Sequence, residues 1–300
     1  MVKIAWHSKY ILPVPAGHRF PMAKYELIPM QLLHHGIIEP QQIFEPGQPD
    51  IQDILLTHTK EYVDKLLTLS LTEREIRRIG FLQNTALIER ELLIMQGGID
   101  CARFAIEYGV ALNVAGGTHH AFRNKGEGFC ILNDHAVAAN YLLKQGIAKK
   151  ILIIDLDVHQ GNGTAEIFAG NNSVFTLSIH GRHNYPFIKE TGDWDIPVND
   201  GIEDDEYLAL VKMALNKAID TFIPDFIMFQ SGVDILSSDK FGKFNISMDG
   251  CRKRDEIVIS TCKKLNIPCI VAMGGGYSED IKLIVQAHCQ TFETAMNYYA

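Results

Sequence analysis

Apolar, β-branched runs alternate with longer segments of helical periodicity along the second two-thirds of the chain. This alternation predicts an α/β fold, in which a parallel sheet is covered by helices on both faces. Strands are predicted at residues 111–115 (ALNVA), 150–155 (KILIID), 173–179 (SVFTLSI), 225–230 (DFIMFQ) and 268–273 (PCIVAM).

Helices are predicted where apolar residues recur at helical spacing. Residues 204–222 show this spacing with acidic residues before the first turn, where the helix dipole favours them. Residues 278–297 show it again, with Ser278 as the predicted N-cap. Residues 82–108 predict one helix, or two that break near Gly97 and Gly98. No repeat or linker interrupts residues 1–300, so we expect one domain.

Composition and charge narrow the class of protein. The chain is 47% hydrophobic and 21% charged, values typical of a globular protein. Its formal charge of −8 argues against nucleic acid and anionic membranes as partners and is weakly compatible with a cationic substrate. No apolar run reaches the ~20 residues of a membrane span, and the first residues lack the layout of a signal peptide. We therefore expect a cytoplasmic protein, whose six cysteines, without a CxxC pair, are reduced.

Polar side chains follow four of the predicted strands directly. Since the carboxyl ends of parallel strands meet at one edge of the sheet, where ligands bind, we expect these side chains to converge. In order along the chain they are His119, His120, Asp155, Asp157, His159, Asp234 and Tyr277.

Three of these residues form a candidate metal site. Asp157 and His159 are two positions apart, so in an extended segment both point to the same side. With Asp234 they supply three ligands of N and O type, and a catalytic zinc ion needs three ligands with a further position for water. We expect one zinc ion per chain that polarises a carbonyl group and activates water.

The remaining polar residues suit roles around such a metal. His119 and His120 are candidates for general base and general acid, because imidazoles titrate near neutral pH. Asp155 can accept a hydrogen bond from one of them and fix its tautomer. Tyr277 can donate its hydroxyl hydrogen to an oxyanion. Each residue alone has a structural explanation, such as a solvated turn or a surface histidine, but the set favours an active site.

Four segments resemble the catalytic blocks of the zinc-dependent histone deacetylase family. The resemblance implies an arginase/deacetylase-like α/β fold of three layers, an open, mostly parallel sheet flanked by helices, and hydrolysis of N-acyl-lysine amides. Residues 17–25 and 56–66 give weaker support. The four segments are residues 116–134 (GGTHHAFRNKGEGFCILND), 155–168 (DLDVHQGNGTAEIF), 230–247 (QSGVDILSSDKFGKFNIS) and 273–278 (MGGGYS).

The resemblance implies the same zinc ligands, histidine pair and tyrosine, and it adds further residues. Asn162 is implied as the partner of His120. The expected partner molecule is an acyl-lysine in a protein or peptide, or an acylated small amine. A substrate tunnel is implied at Gly128, Phe129, Tyr185 and Gly275. A structural potassium ion is implied at Asp155, Ser178 and the main chain of Asp157, His159 and Ile179.

Two departures from the class I pattern indicate a subfamily. Gln160 and Asn162 stand where class I members have a histidine and an aspartate, and HQGNG together with RHNYP (residues 182–186) is similar to class IV. A neutral amide stabilises an imidazolium less than a carboxylate does, so His120 is expected to be less basic. Class IV also suggests long-chain fatty-acyl lysine as a substrate.

Three alternative functions remain open. An acetylpolyamine amidohydrolase would share the fold and the metal site, but its usual added loop has no obvious counterpart here. A ureohydrolase would bind two manganese ions through bridging carboxylates, which the SGVD and GGGY segments do not fit. A non-catalytic acyl-lysine reader would be expected to lack a ligand, one histidine of the pair or Tyr277, and all of these are present.

Overall fold

The computed structural model describes residues 1–15 and 17–299 and contains an eight-stranded sheet. Every paired strand in it is parallel, and the order is β2-β1-β3-β8-β7-β4-β5-β6. The strands are β1 Lys3–Ala5, β2 Ile43–Phe44, β3 Val110–Asn113, β4 Ile151–Asp155, β5 Val174–Gly181, β6 Trp194–Val198, β7 Phe226–Ser231 and β8 Cys269–Met273.

Helices cover both faces of this sheet. Alternate residues of the central strands enter two separate apolar cores, with Leu152 and Ile154 of β4 in one and Ile151 and Ile153 in the other. The predicted three-layer α/β fold is confirmed. The helices are α1 Lys24–His34, α2 Ile51–Leu55, α3 Lys60–Leu67, α4 Glu73–Ile79, α5 Thr85–Tyr108, α6 Asp134–Lys144, α7 Asn162–Phe168, α8 Asp204–Phe222, α9 Met248–Leu265 and α10 Ile281–Tyr299.

The structure corrects several predicted boundaries. Helix α5 runs unbroken through Gly97 and Gly98, since the missing side chain at Gly97 lets the helix approach Tyr10, whose hydroxyl would lie 2.5 Å from a Cβ there. The predicted cap at Ser278 is wrong, because the Asp280 carboxylate accepts a hydrogen bond from the first turn of α10. Strands β1, β2 and β6 were not predicted. Strands β1 and β2 are only three and two residues long, and Pro197 interrupts the pattern of β6.

Two expectations about the chain as a whole can be compared with the structure. All six cysteines are buried and unpaired, as expected for reduced thiols in the core. Within residues 1–15 and 17–299, no helix combines the length and apolar character needed to cross a membrane.

A buried ion pair lies beneath the carboxyl ends of β4 and β7. The Arg254 guanidinium of α9 is fully buried and donates to the carbonyl oxygens of Leu156 and Gly232, both at 3.0 Å. Its Nε lies 2.6 Å from a carboxylate oxygen of Asp255, which also accepts a hydrogen bond from Thr291. Arg254 thereby fixes the two turns that follow these strands.

Replacing Arg254 with Leu should lower the free energy of unfolding by about 3–5 kcal/mol, because Asp255 would keep a buried charge without its cation. Urea denaturation followed by circular dichroism measures this loss. The matched control is Arg252→Leu, two residues earlier on α9, where the side chain pairs with Asp249 and Glu256 at the surface. That loss should stay within about 1 kcal/mol. Equal losses in the two variants would contradict the assigned role of Arg254.

Candidate active site

The loops that follow β3, β4, β7 and β8 meet at one edge of the sheet and bring the predicted polar residues together. Asp157, His159 and Asp234 are all buried and place one ligand atom each within 4.8 Å of the others. His159 Nδ1 lies 3.0 Å from a carboxylate oxygen of Asp157 and 3.0 Å from one of Asp234. One imidazole and two carboxylates form a donor set suited to zinc.

Main-chain amides hold these carboxylates in place. The Gly275 amide donates to Asp157 at 2.7 Å, and the Val158 amide donates to Asp234 at 2.9 Å. A Cβ at Gly275 would lie 2.0 Å from the Asp234 carboxylate, so only glycine fits this position. Gly275, predicted as a tunnel residue, therefore lies against the candidate metal ligands at the base of the site.

The charges of this cluster also fit a cation. Burial and the neighbouring Asp157 carboxylate raise the pKa of Asp234 to about 7, since two buried negative charges repel each other. A divalent cation between these oxygens would relieve the repulsion and favour both ionised carboxylates. The three residues therefore meet both the geometric and the electrostatic requirement of a metal site.

The two histidines of the predicted pair lie side by side, with ring centroids 4.1 Å apart. His119 Nδ1 donates to Asp155 at 2.7 Å, and His120 Nδ1 donates to the side-chain oxygen of Asn162 at 2.6 Å. Each bond places a hydrogen on Nδ1 and so leaves Nε2 of the neutral ring as the basic nitrogen. Asp155 was expected to bond to one of the two rings, and Asn162 is the partner of His120 that the resemblance implied.

A second residue stands behind Asn162. The Asn162 amide group donates to the Glu127 carboxylate at 2.8 Å, and the Tyr185 hydroxyl donates to the same oxygen at 2.9 Å. This places the Asn162 carbonyl oxygen towards His120 and polarises the amide. Glu127 thus connects the histidine pair to a residue of the predicted tunnel wall.

The two imidazoles differ in basicity. Burial lowers the pKa of His119, but the Asp155 and Asp157 carboxylates more than offset this and bring it to about 9. Burial, together with the positive charges of His119 and His159, holds the pKa of His120 well below its usual range. One imidazole is therefore disposed to carry a proton and its neighbour to accept one.

Tyr277 and the predicted tunnel residues surround the route to this site. The main-chain amide of Tyr277 donates to Asp239 at 2.6 Å, and its ring lies near Phe129 and Phe241. Burial and the Asp234 and Asp157 carboxylates hold the pKa of Tyr277 well above its usual range, so its hydroxyl stays protonated. Tyr277 is thus a permanent hydrogen-bond donor.

The wall residue Phe129 has a left-handed backbone conformation with φ +67°, a strained state for a non-glycine residue. The strain is held by hydrogen bonds from the Gly128 amide to the Arg78 carbonyl and from the Phe129 amide to the Ile79 carbonyl. Tyr185 stands on the other side, with its ring perpendicular to His120 at 5.0 Å. Helix α4 therefore fixes one wall of the predicted tunnel.

Two cavities meet at the histidine pair. A mouth of about 570 Å³ opens between Phe129, Tyr185 and Phe241. An inner cavity of about 40 Å³ continues past the Asp157–His159–Asp234 cluster to Tyr25, Arg90 and Ile94. His120, His159, Gly128, Phe129 and Tyr277 line both cavities.

The residues predicted for potassium are partly brought together. Asp155 of β4 and Ser178 of β5 are direct register partners, and both line one small cavity. The Ser178 hydroxyl is also within 2.9 Å of His180 Nδ1. The implied ligands from Asp157, His159 and Ile179 are main-chain atoms, and of these three residues Ile179 lies in β5 beside Ser178. The potassium site stays a prediction.

A family model of the histone deacetylase domain matches residues 18–292. The chain belongs to the histone deacetylase family. It is 39% identical over 296 residues to an uncharacterized protein of Picosynechococcus sp., with 99% of each chain covered. It is 30% identical over 297 residues to Histone deacetylase 2 of Arabidopsis thaliana, with 95% of this chain and 76% of the relative covered.

Solved structures of histone deacetylases share the fold. The HD domain of HDA15 superposes with a TM-score of 0.83 at 22% identity, covering 99% of this chain and 88% of the other. A histone deacetylase homologue in complex with SAHA gives a TM-score of 0.82 at 26% identity, covering 97% and 82%. Membership of this family makes the chain a hydrolase of the deacetylase type.

Sequence reasoning missed several residues that shape this histone deacetylase site. Glu127 lies inside a block that was recognised, but an isolated glutamate between glycines carries no pattern that indicates its partner. Lys24 is buried and donates to the Gly274 carbonyl at 2.9 Å, although lysine is rarely buried. Asp134 accepts hydrogen bonds from Gly117 and Thr118 and holds the histidine loop. Its position at the start of a helix was the available signal.

Replacing Glu127 with Gln should reduce kcat about tenfold, because the charge-assisted bond to Asn162 is weakened. Losing a negative charge also lowers the pKa of His120, so the acidic limb of the kcat/KM profile should move to lower pH. The matched variant Tyr185→Phe removes only the other bond to Glu127 and should leave that limb in place. An unshifted limb in the Gln variant would disprove the connection to His120.

Replacing Asp234 with Ala should abolish stoichiometric zinc binding, because Asp157 and His159 alone supply too few ligands for zinc. Zinc content after dialysis, measured by mass spectrometry, is the readout. Asp239→Asn is the control, since the Asp239 carboxylate already accepts hydrogen bonds from the main-chain amides of Phe241, Gly242 and Tyr277. This control should retain one zinc ion per chain. Full zinc content in the Ala variant would contradict the ligand set.

Proposed function

We propose that this protein is a zinc-dependent hydrolase that removes short acyl groups from lysine side chains in peptides or proteins. The observation that carries the proposal is the buried Asp157–His159–Asp234 cluster, placed where an open mouth meets a small inner cavity. When bound, zinc supplies a Lewis acid for the acyl carbonyl and activates water near neutral pH. Family membership supports the same reaction class.

The protein's own residues handle the protons. His120, neutral and with Nε2 free, accepts a proton from the attacking water. His119 holds a proton that it can donate to the leaving lysine nitrogen. The protonated Tyr277 hydroxyl donates to the oxygen on which negative charge develops. The reaction produces a carboxylate and a free amine.

The size of the inner cavity supports a short acyl group. A lysine side chain that enters by the mouth places its amide at the cluster, and the rest of the acyl group then lies in the inner cavity. The inner cavity of about 40 Å³ has room for only a few water molecules, since one water molecule needs roughly 10–15 Å³. The size of this cavity favours an acetyl group over a long chain, although the class IV resemblance suggested fatty-acyl lysine.

The charge at the mouth opposes the acetylpolyamine alternative. Five cationic side chains line the mouth, and a polyamine brings several positive charges of its own. The lining residues are Arg19, Arg77, Arg78, Lys240 and Lys243.

Other parts of the proposal rest on the sequence. We assign the chain to class IV because of Gln160 and Asn162. The Gln160 side chain makes two hydrogen bonds to the Glu190 main chain, in the loop that carries Tyr185. The structural potassium ion at Asp155 and Ser178 and the cytoplasmic location belong to the same proposal.

A substrate panel tests this function. Acetyl-lysine and myristoyl-lysine peptides of one sequence, together with N-acetylspermidine, are assayed with zinc and after chelation. We expect zinc-dependent hydrolysis of the acetyl peptide and at least about tenfold lower kcat/KM for the other two substrates. Tyr277→Phe should reduce turnover by about 10²–10³ with zinc retained, whereas Tyr141→Phe on α6 should not. Faster hydrolysis of the myristoyl peptide would refute the short-chain assignment, and activity after chelation would refute zinc dependence.

A further inference from the structure

The mouth of the site is strongly basic, although the chain as a whole carries a net charge of −8. Its lining contains five Arg and Lys side chains and His183, and no carboxylate among the residues that the structure describes. The chain has 36 acidic and 28 basic residues, so a positively charged cluster is not what its composition alone would predict. Positive charge is therefore concentrated in the pocket that leads to His120.

Three of the five cations have acidic partners outside the pocket. These pairs involve side chains that are largely exposed, so water weakens them. Arg19 and Arg78 have no carboxylate within 4.0 Å in residues 1–15 and 17–299. The exposed pairs are Arg77 with Glu73, Lys240 with Glu279 and Lys243 with Asp200.

Arg19 and Arg78 are both anchored to the tunnel wall. The guanidinium carbon of Arg19 lies 5.8 Å from the ring centre of Phe241 and 6.0 Å from that of Phe129. The main chain of Arg78 accepts a hydrogen bond from the Gly128 amide at 3.2 Å. The guanidinium of Arg19 and the main chain of Arg78 are thus both fixed to residues that form the entrance, and both side chains line the pocket.

We propose that this mouth selects acyl-lysine substrates with acidic side chains next to the modified lysine. The inference rests on the proposed deacylase function and specifies its substrate class. An extended peptide advances about 3.3–3.6 Å per residue. Once an acyl-lysine lies between Phe129 and Tyr185, its neighbours within two positions are about 7 Å from it along the chain, and Arg19 and Arg78 line the same pocket. Aspartate or glutamate at these neighbours would pair with both cations.

An anionic membrane is the other surface that a basic rim could meet. Phe187 and Ile188, next to Tyr185, are 88% and 85% exposed and would suit insertion into lipid. The cations, however, line a concave pocket of about 570 Å³ that shares its walls with the active site. A concave surface of this size admits a peptide segment more readily than a flat bilayer. The observations therefore favour the acidic peptide.

The test compares three acetyl-lysine peptides that differ only in the residues at positions −2, −1, +1 and +2, which are Glu, Gln or Lys. At low salt, kcat/KM of the zinc-loaded protein should be about tenfold higher for the Glu peptide than for the Gln peptide, and lowest for the Lys peptide. The difference should shrink at 0.5 M salt, where screening shortens the reach of charges to a few ångströms.

Substitutions test whether Arg19 and Arg78 cause this preference for acidic peptides. Arg19→Gln combined with Arg78→Gln should bring the ratio of kcat/KM for the Glu and Gln peptides close to one. Arg78→Glu should improve the Lys peptide relative to the Glu peptide, a gain that misfolding cannot produce. The control combines Arg103→Gln with Lys212→Gln, two exposed sites outside the pocket, and should preserve the wild-type ratio.

The other outcomes distinguish a failure of the proposed function from a failure of the acidic-substrate inference. If no peptide is hydrolysed, the proposed function fails, whatever the charge preference. If all three peptides are hydrolysed equally at low salt, or the preference survives in the double Gln variant, the acidic-substrate inference is overturned. Equal hydrolysis together with sedimentation on phosphatidylserine vesicles, lost in the double Gln variant, would assign the basic mouth to a lipid surface instead.

Discussion

Two buried carboxylates that approach the same imidazole are the constraint on which the site depends. Asp157 and Asp234 come from different strand ends, and each would be costly to bury in its charged form alone. A parallel sheet brings these strand ends together, and glycine at position 275 lets the last loop approach them. Arg254 then fixes the main chain on the side away from the mouth. The fold thus holds two carboxylates so close together that they need a positive charge between them, which His159 or a bound metal ion can supply.

Carboxylates also act on the histidine pair, but they reach the two rings in different ways. Asp155 bonds directly to His119, whereas the carboxylate of Glu127 reaches His120 only through the neutral amide of Asn162. An interposed amide transmits part of the polarisation without placing a full charge beside the ring. The two imidazoles can therefore keep different affinities for a proton although their rings are in contact, which a pair with two equal carboxylate partners could not do as readily.

The sequence predicted those features that depend on local pattern. The central strands, helix α8 and the residues following each strand could be located because parallel strands impose a shared edge on whatever follows them. Strands β1 and β2 could not be found, since two or three residues carry no periodicity. Glu127 and Lys24 were missed for a different reason. Their partners are set by how loops close in three dimensions, and neither residue belongs to a repeating pattern.

Net charge proved a poor guide to the mouth for a related physical reason. The total of −8 sums over the whole surface, whereas a substrate experiences the potential within about a Debye length of the entrance. The cations that set this potential are far apart in sequence, with Arg19 near the start, Arg78 in α4 and Lys243 beyond β7, and only folding assembles them. The carboxylate partners of Arg77, Lys240 and Lys243 do not line the pocket, so the concave side keeps the positive potential. Selectivity for the acyl group and for its surroundings can therefore reside in separate cavities that meet at His120.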